Sequence, residues 1–188
     1  IPMFQIRHVF LLIIVAAGLT VTALATPFSQ DPHYHHFADS RTLLGIPNCL
    51  DVMSNLGFIL AGVIGFGLQR RRADLTPTLA HWMGSYCFSL VLVGLGSIYY
   101  HLAPSNHTLL WDRLPMTITF SLFFCLILAS HLSTRLAVRL LPLMLAGGVS
   151  ATLYWYDSEM MGEGDLRFYA AFQFLPMLLA IVILLLFP

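Results

Sequence analysis

The chain has 188 residues, 58% of them hydrophobic and only 10% charged, and its mean hydropathy is +0.80. That balance excludes an ordinary soluble domain and a disordered tail, and it points to a protein that crosses a membrane several times. Nine arginines, with no lysine, offset nine acids, and no basic block marks a nucleic-acid partner.

Six apolar runs approach the roughly 20 residues a membrane-spanning helix needs. They cover about 9–26, 50–69, 81–101, 113–131, 136–155 and 168–187. Apolar continuity without strict alternation favours helices over a membrane barrel. Connections are short, so the reading is one transmembrane helical domain over residues 1–188. The first run also has the plan of a secretory signal peptide: Arg7 and His8, then "VFLLIIVAAGLTV", then the small-residue stretch "ALA" at 23–25. We read it as a retained first helix.

Between the first two runs lies "DPHYHHFAD", with His33, His35 and His36 between two aspartates. Imidazole and carboxylate are both metal ligands, but such a stretch is more often a polar interfacial segment. The second run opens as "IPNCLDVMSNLGF", which puts Asp51, Ser54 and Asn55 on one helical face, with Asn48 one turn earlier. Either these side chains line a pocket or, like many Ser and Asn residues in membranes, they bond helices to each other. Gly62, Gly65, Gly67, Gly94 and Gly96 suit close helix contact, and the scattered Cys49, Cys87 and Cys125 read as buried thiols.

The third and fourth runs are joined by "GSIYYHLAPSNHTLLWDRLPM", residues 96–116. Ser97 and His101 are four apart and share a helical face. Asp112 follows across a short turn that brings the two helix ends together. Ionisable groups at membrane depth are expensive and usually face the bundle interior; the bland alternative is that His101 and Asp112 sit at the interface, where polarity costs little. Trp82, Trp111, Trp155, Tyr154 and Tyr156 fall near run ends, as belt residues do. Arg167, Tyr169 and Gln173 open the last run and are candidates to line the same pocket.

If the six runs alternate in direction, Arg7, Arg70, Arg71, Arg72, Arg135 and Arg139 share one side, and every acid except Asp74 lies on the other. The arginine bias predicts a cytoplasmic N-terminus and a polar site facing the periplasm of a bacterial inner membrane.

Ser97, the His101 four residues on, Asp112 eleven further, and the Pro115-Met116 pair together resemble the alkaline ceramidases. These belong to a superfamily of seven-helix membrane hydrolases that includes the adiponectin receptors. "NCLDVMSNLGF" resembles the start of that family's first core helix, and the resemblance spans about residues 39–187. It implies a zinc-dependent hydrolase of a lipid amide within the membrane. By that resemblance His101 would ligate zinc, Asp112 would orient or deprotonate the attacking water, and Ser97 would stabilise the tetrahedral intermediate. Three protein ligands and an open position are the usual form of a catalytic zinc site. The family's second and third zinc ligands are two histidines four apart on the last core helix. No His-x-x-x-His occurs here, and no histidine follows His131. Asn48 stands about where calcium-binding members carry a glutamate, so calcium is not expected.

The sequence thus predicts an all-α integral membrane protein of six transmembrane helices: one extra N-terminal helix plus five of a seven-helix ceramidase-like bundle. The end at "LLLFP", inside an apolar run, reads as a fragment lacking the last two core helices. The leading functional expectation is a ceramidase-like zinc hydrolase whose partners are membrane lipids and a lipid amide substrate. The alternative is a non-catalytic subunit that packs within a larger membrane complex or holds a lipid or pigment.

Overall fold

The computed structural model describes residues 3–188. Seven α-helices follow in order: α1 (Met3–Leu24), α2 (Cys49–Ser54), α3 (Leu56–Gln69), α4 (Pro77–Leu102), α5 (Asn106–His131), α6 (Thr134–Met160) and α7 (Arg167–Leu186). Helices α2 and α3 make one span, so six stretches are long and apolar enough to cross a membrane, as expected. No strand occurs among the described residues.

Capping chemistry, not hydropathy, sets several boundaries. Helix α4 starts at Pro77 because Thr76 caps it, accepting the Leu79 N–H, and a proline at the first helical position leaves no donor wasted. Helix α5 starts at Asn106, seven residues before the apolar run. There Ser105 Oγ accepts the Thr108 N–H at 3.2 Å and Thr108 Oγ1 accepts the Ser105 N–H at 3.1 Å. The second span is broken at Asn55. Ser54 Oγ and Asn55 Nδ2 both donate to the Asp51 carbonyl at 2.8 Å, which diverts it from the regular helical ladder.

Helix α5 is the central element, packed against α4, α6 and α7, and half of its span is buried. Helix α3 packs on α4, and among the described residues α1 packs on no helix but α7, with 6% of its span buried. A Cβ at Gly18 would sit 2.8 Å from Leu175 Cδ1, so α1 lies tight against α7 where it does touch. The apolar core of Trp82, Phe124, Cys125, Leu128, Ala137 and Ile183 occupies the half of the bundle near the α5–α6 turn. All three cysteines are buried and free.

The α4–α5 seam carries the site. Pro115 has no N–H, so the Trp111 carbonyl one turn before it has no helical donor. Gly96 of α4 fills that gap with its backbone: a Cβ there would overlap Trp111 O and stand 3.2 Å from Asp112 Cα. Such close backbone approach is a common use of glycine between membrane helices. Farther along, Thr119 Oγ1 donates to Ser89 Oγ at 2.9 Å, a second link between the two helices.

The α1–α2 connection, residues 25–48, crosses the end of the bundle where α4 stops and α5 begins, here termed the polar end. One 3-10 turn, Pro32–His35, interrupts it, capped by Asp31. It is tied down towards both ends. Arg167 Nη1 donates to Ala25 O at 2.5 Å, the Leu166 N–H to Phe28 O at 2.9 Å, and the Cys49 N–H to Arg41 O at 3.2 Å. Residues 25–48 are therefore a strap across the polar end rather than a free loop.

Candidate active site

Ser97 and Asp112 face each other across the Gly96–Trp111 contact. Both are buried, and Ser97 lies near enough to the Asp112 carboxylate to act on its charge. The i, i+4 spacing then places His101 one turn nearer the end of α4, and its Nδ1 is buried without a hydrogen-bond partner. Asn48 Nδ2 donates to His101 O at 2.8 Å, fixing the start of α2 against the end of α4. Asp51 lies close enough for its charge to act on His101, and Asp51 Oδ2 is likewise buried and unpartnered. Unpartnered buried polar atoms are rare and costly.

The other sequence candidates divide. Asn55 is buried at the helix break, whereas Ser54 is exposed and bonds its own helix. Tyr169 is buried at the polar end within electrostatic range of Asp112. Gln173, one turn on, is half-buried. Arg167 is engaged elsewhere: its guanidinium grips both oxygens of Asp165, at 2.9 and 2.8 Å, as well as the Ala25 carbonyl. That grip holds the Asp165 carboxyl below its ordinary pKa.

Sequence reasoning missed Arg113. It is 5% exposed and lies over three aromatic faces: Trp155 at 3.9 Å, Tyr169 at 4.5 Å and Tyr34 at 5.9 Å. Its Nη2 donates to Gln30 Oε1 at 2.6 Å, and its Nη1 has no partner. The signal for it was present, since a cation beside Asp112 in an apolar helix is costly wherever it faces. Trp155 also departs from expectation: it is fully buried beneath Arg113 and donates to Glu159, so it is no belt residue. Trp82 is buried too, while Trp111 and Tyr154 remain exposed.

Among the described residues the strap histidines form no group of three metal ligands, though the His33 and His36 rings meet edge-on with centroids 5.4 Å apart. His33 pairs with Asp31 at 3.1 Å. His35 reaches into the bundle, with Nδ1 2.9 Å from the Tyr100 hydroxyl and Nε2 3.0 Å from Asn106 Oδ1. The Phe37 ring lies on the His101 imidazole with centroids 4.4 Å apart. Asp39, buried, accepts from Arg41 Nε at 2.5 Å and from the Leu50 N–H at 2.8 Å. These two contacts, Arg41 foremost, hold its carboxyl below the ordinary value.

His101 Nδ1 and Asp51 Oδ2 are donors of the right type for zinc, but a zinc site takes three or four protein ligands. Among the described residues no group of three or more His, Cys, Asp or Glu side chains could hold a metal ion. The residues of this chain therefore do not by themselves fit the zinc that the resemblance implies.

The arrangement is that of a multi-span helical membrane protein with a buried serine–carboxylate pair, an adjoining histidine and a covered polar end. Residues 45–186, more than half of the chain, match the ceramidase family. The chain belongs to that family, and as a ceramidase-like hydrolase at family level it is tied to lipid substrates. Helix α1 and most of the strap precede the matched stretch. No curated protein and no solved structure gives a match.

Proposed function

We propose that this protein hydrolyses the amide bond of a ceramide-type lipid at the polar end of its bundle. The observation that best supports this reading is the buried Ser97–Asp112 pair beside an imidazole with a free nitrogen. In the proposed reaction Asp112 accepts a proton as water attacks the amide carbon. Ser97 donates a hydrogen bond to the oxygen on which negative charge develops, and the proton then passes to the departing amine. The C–N bond breaks, a C–O bond forms, and a fatty acid and an amine leave. Low-dielectric surroundings strengthen such aimed dipoles. Apolar helix faces take up the acyl chain while the amide stays at the polar end. His101 is the one family-like zinc ligand in the chain, so zinc at this position requires ligands from beyond residues 3–188. The arginine distribution supports a cytoplasmic N-terminus and a periplasmic site.

The test is release of fatty acid from a ceramide by the purified protein in liposomes, followed by mass spectrometry, with zinc measured on the same sample. Turnover that vanishes in Asp112→Asn supports the reading; no turnover at any zinc loading overturns it. The incomplete donor set favours one alternative, a non-catalytic membrane subunit of ceramidase ancestry. Co-purification with other membrane proteins in fixed stoichiometry, without zinc or turnover, would establish it.

A further inference from the structure

We propose that residues 31–38 are a flap over His101, hinged at Gln30 and Asp39 and seated by Phe37. This inference concerns access to the imidazole and holds whatever reaction the site performs.

Burial along the strap is its first support. Gln30 and Asp39 are each 7% exposed, whereas between them residues 31–34, 36 and 38 are exposed, and only His35 and Phe37 are half-buried. The two buried residues are bonded to the bundle. The Gln30 N–H donates to Glu159 Oε1 at 2.5 Å, and its side-chain oxygen accepts from Arg113. Asp39 holds the first turn of α2 through the Leu50 N–H. They are fixed points, and the eight mostly exposed residues between them hold to the bundle through His35, the Tyr34 carbonyl and ring contacts.

Those eight residues meet the bundle through a few side chains. His35 contacts the Tyr100 hydroxyl and Asn106, Tyr34 stacks on Tyr100 at 6.4 Å and skirts Arg113, and Phe37 covers His101. Segments with few buried contacts between firmly bonded ends open locally at low cost. His101 Nδ1 meanwhile has nothing to bond while Phe37 lies on its ring. Phe37 covers one face of the ring, so a group that approaches the imidazole from that side must first lift it. On the proposed function, that group is the polar head of the lipid substrate. Gating of this kind by a short segment is common at enclosed sites.

Chemical modification of histidine reads this directly, without turnover. Detergent-solubilised, chelator-treated protein is exposed to diethyl pyrocarbonate, and each histidine is followed by mass spectrometry. His33 and His36 are exposed and serve as internal references. His101 is expected to react at least tenfold more slowly than these two, and Phe37→Ala to raise its rate about tenfold by removing the aromatic seat. Phe37→Leu, which keeps an apolar cover, is expected to restore most of the protection. Should Phe37→Ala fail to fold, hydrogen exchange on the unaltered protein decides. The Tyr34 and His36 amides are expected to exchange at least tenfold faster than those of Gln30 and Leu50. The proposal is overturned if His101 reacts as fast as His36 in the unaltered protein, if Phe37→Ala leaves its rate unchanged, or if the flap amides exchange no faster than the hinges.

Discussion

The two ends of this bundle treat polar groups in opposite ways. At the end where α3 runs into α4, charges are left in water: Arg72 and Asp74 pair at 2.7 Å with both side chains 62% exposed. At the polar end Ser97, Asp112, Arg113, Gln30 and Asp39 are all buried, and three polar atoms among the buried groups lack partners. One end satisfies solubility and topology at little cost; the other accepts a standing penalty for buried polarity. A penalty confined to one end, and covered by a strap of more than twenty residues, is what the proposed reaction would place there.

The largest test of this contrast is Asp112→Asn, which is expected to lower proposed amide hydrolysis by about 10²–10⁴-fold, the usual scale for losing a general base. Arg72→Ala at the opposite end should leave the rate unchanged in the same liposome assay. Next comes glycine packing. Gly96→Ala drives a methyl group into the Trp111 carbonyl and should cost about 1–3 kcal/mol, read as a lower melting temperature in detergent. Gly67→Ala, in α3 towards the opposite end, meets nothing within 4 Å, and it should be neutral or stabilise by up to about 1 kcal/mol through helix propensity. Equal effects at the two glycines would erase the distinction between the ends.

Acid provides a smaller effect with a defined sign. Asp39 is held below the ordinary carboxylate pKa, first by Arg41 and then by the Leu50 N–H. A depressed carboxyl stabilises the fold fully above its unfolded pKa, and that contribution is lost as the pH falls through the folded value. The strap end at Asp39 should stay bonded from neutrality down to about pH 4 and loosen below it. Hydrogen exchange of the Leu50 amide measures this, and Asp39→Asn should flatten its acid dependence. Smallest of all, Arg72→Ala should leave the melting temperature unchanged within error, because an exposed pair contributes little.

Much of the fold was legible because hydrocarbon is an exacting solvent: six apolar runs became six spans. What hydropathy could not read was where each helix starts. Helix α5 begins at Asn106 because of the Ser105–Thr108 cap, and "NHTLLWDR" is too polar to register in an apolar window. The break at Asn55 escaped for a similar reason, since side-chain bonds to a backbone carbonyl leave no periodic trace. Within the site, the helical spacing of Ser97 and His101 and the hairpin to Asp112 were readable. The strap was not. Gln30, Tyr34 and Phe37 meet α4, α5 and α6 across long stretches of chain, and only the folded path brings them there.

The packing of α1 on α7 also fixes an order of events. Gly18 rests on Leu175, 157 residues later, and the strap is secured by Leu166 and Arg167 at the opening of α7. At a synthesis rate of about 5–20 residues per second, α1 must wait in the bilayer for roughly ten to thirty seconds before its neighbour emerges. Until then it is a solitary lipid-solvated helix, and Phe28 and Ala25 lack their partners. The cover of the site is thus among the last parts to be assembled, and a ribosome stalled before α7 would leave Ser97, His101 and Asp112 in place beneath an unfastened strap.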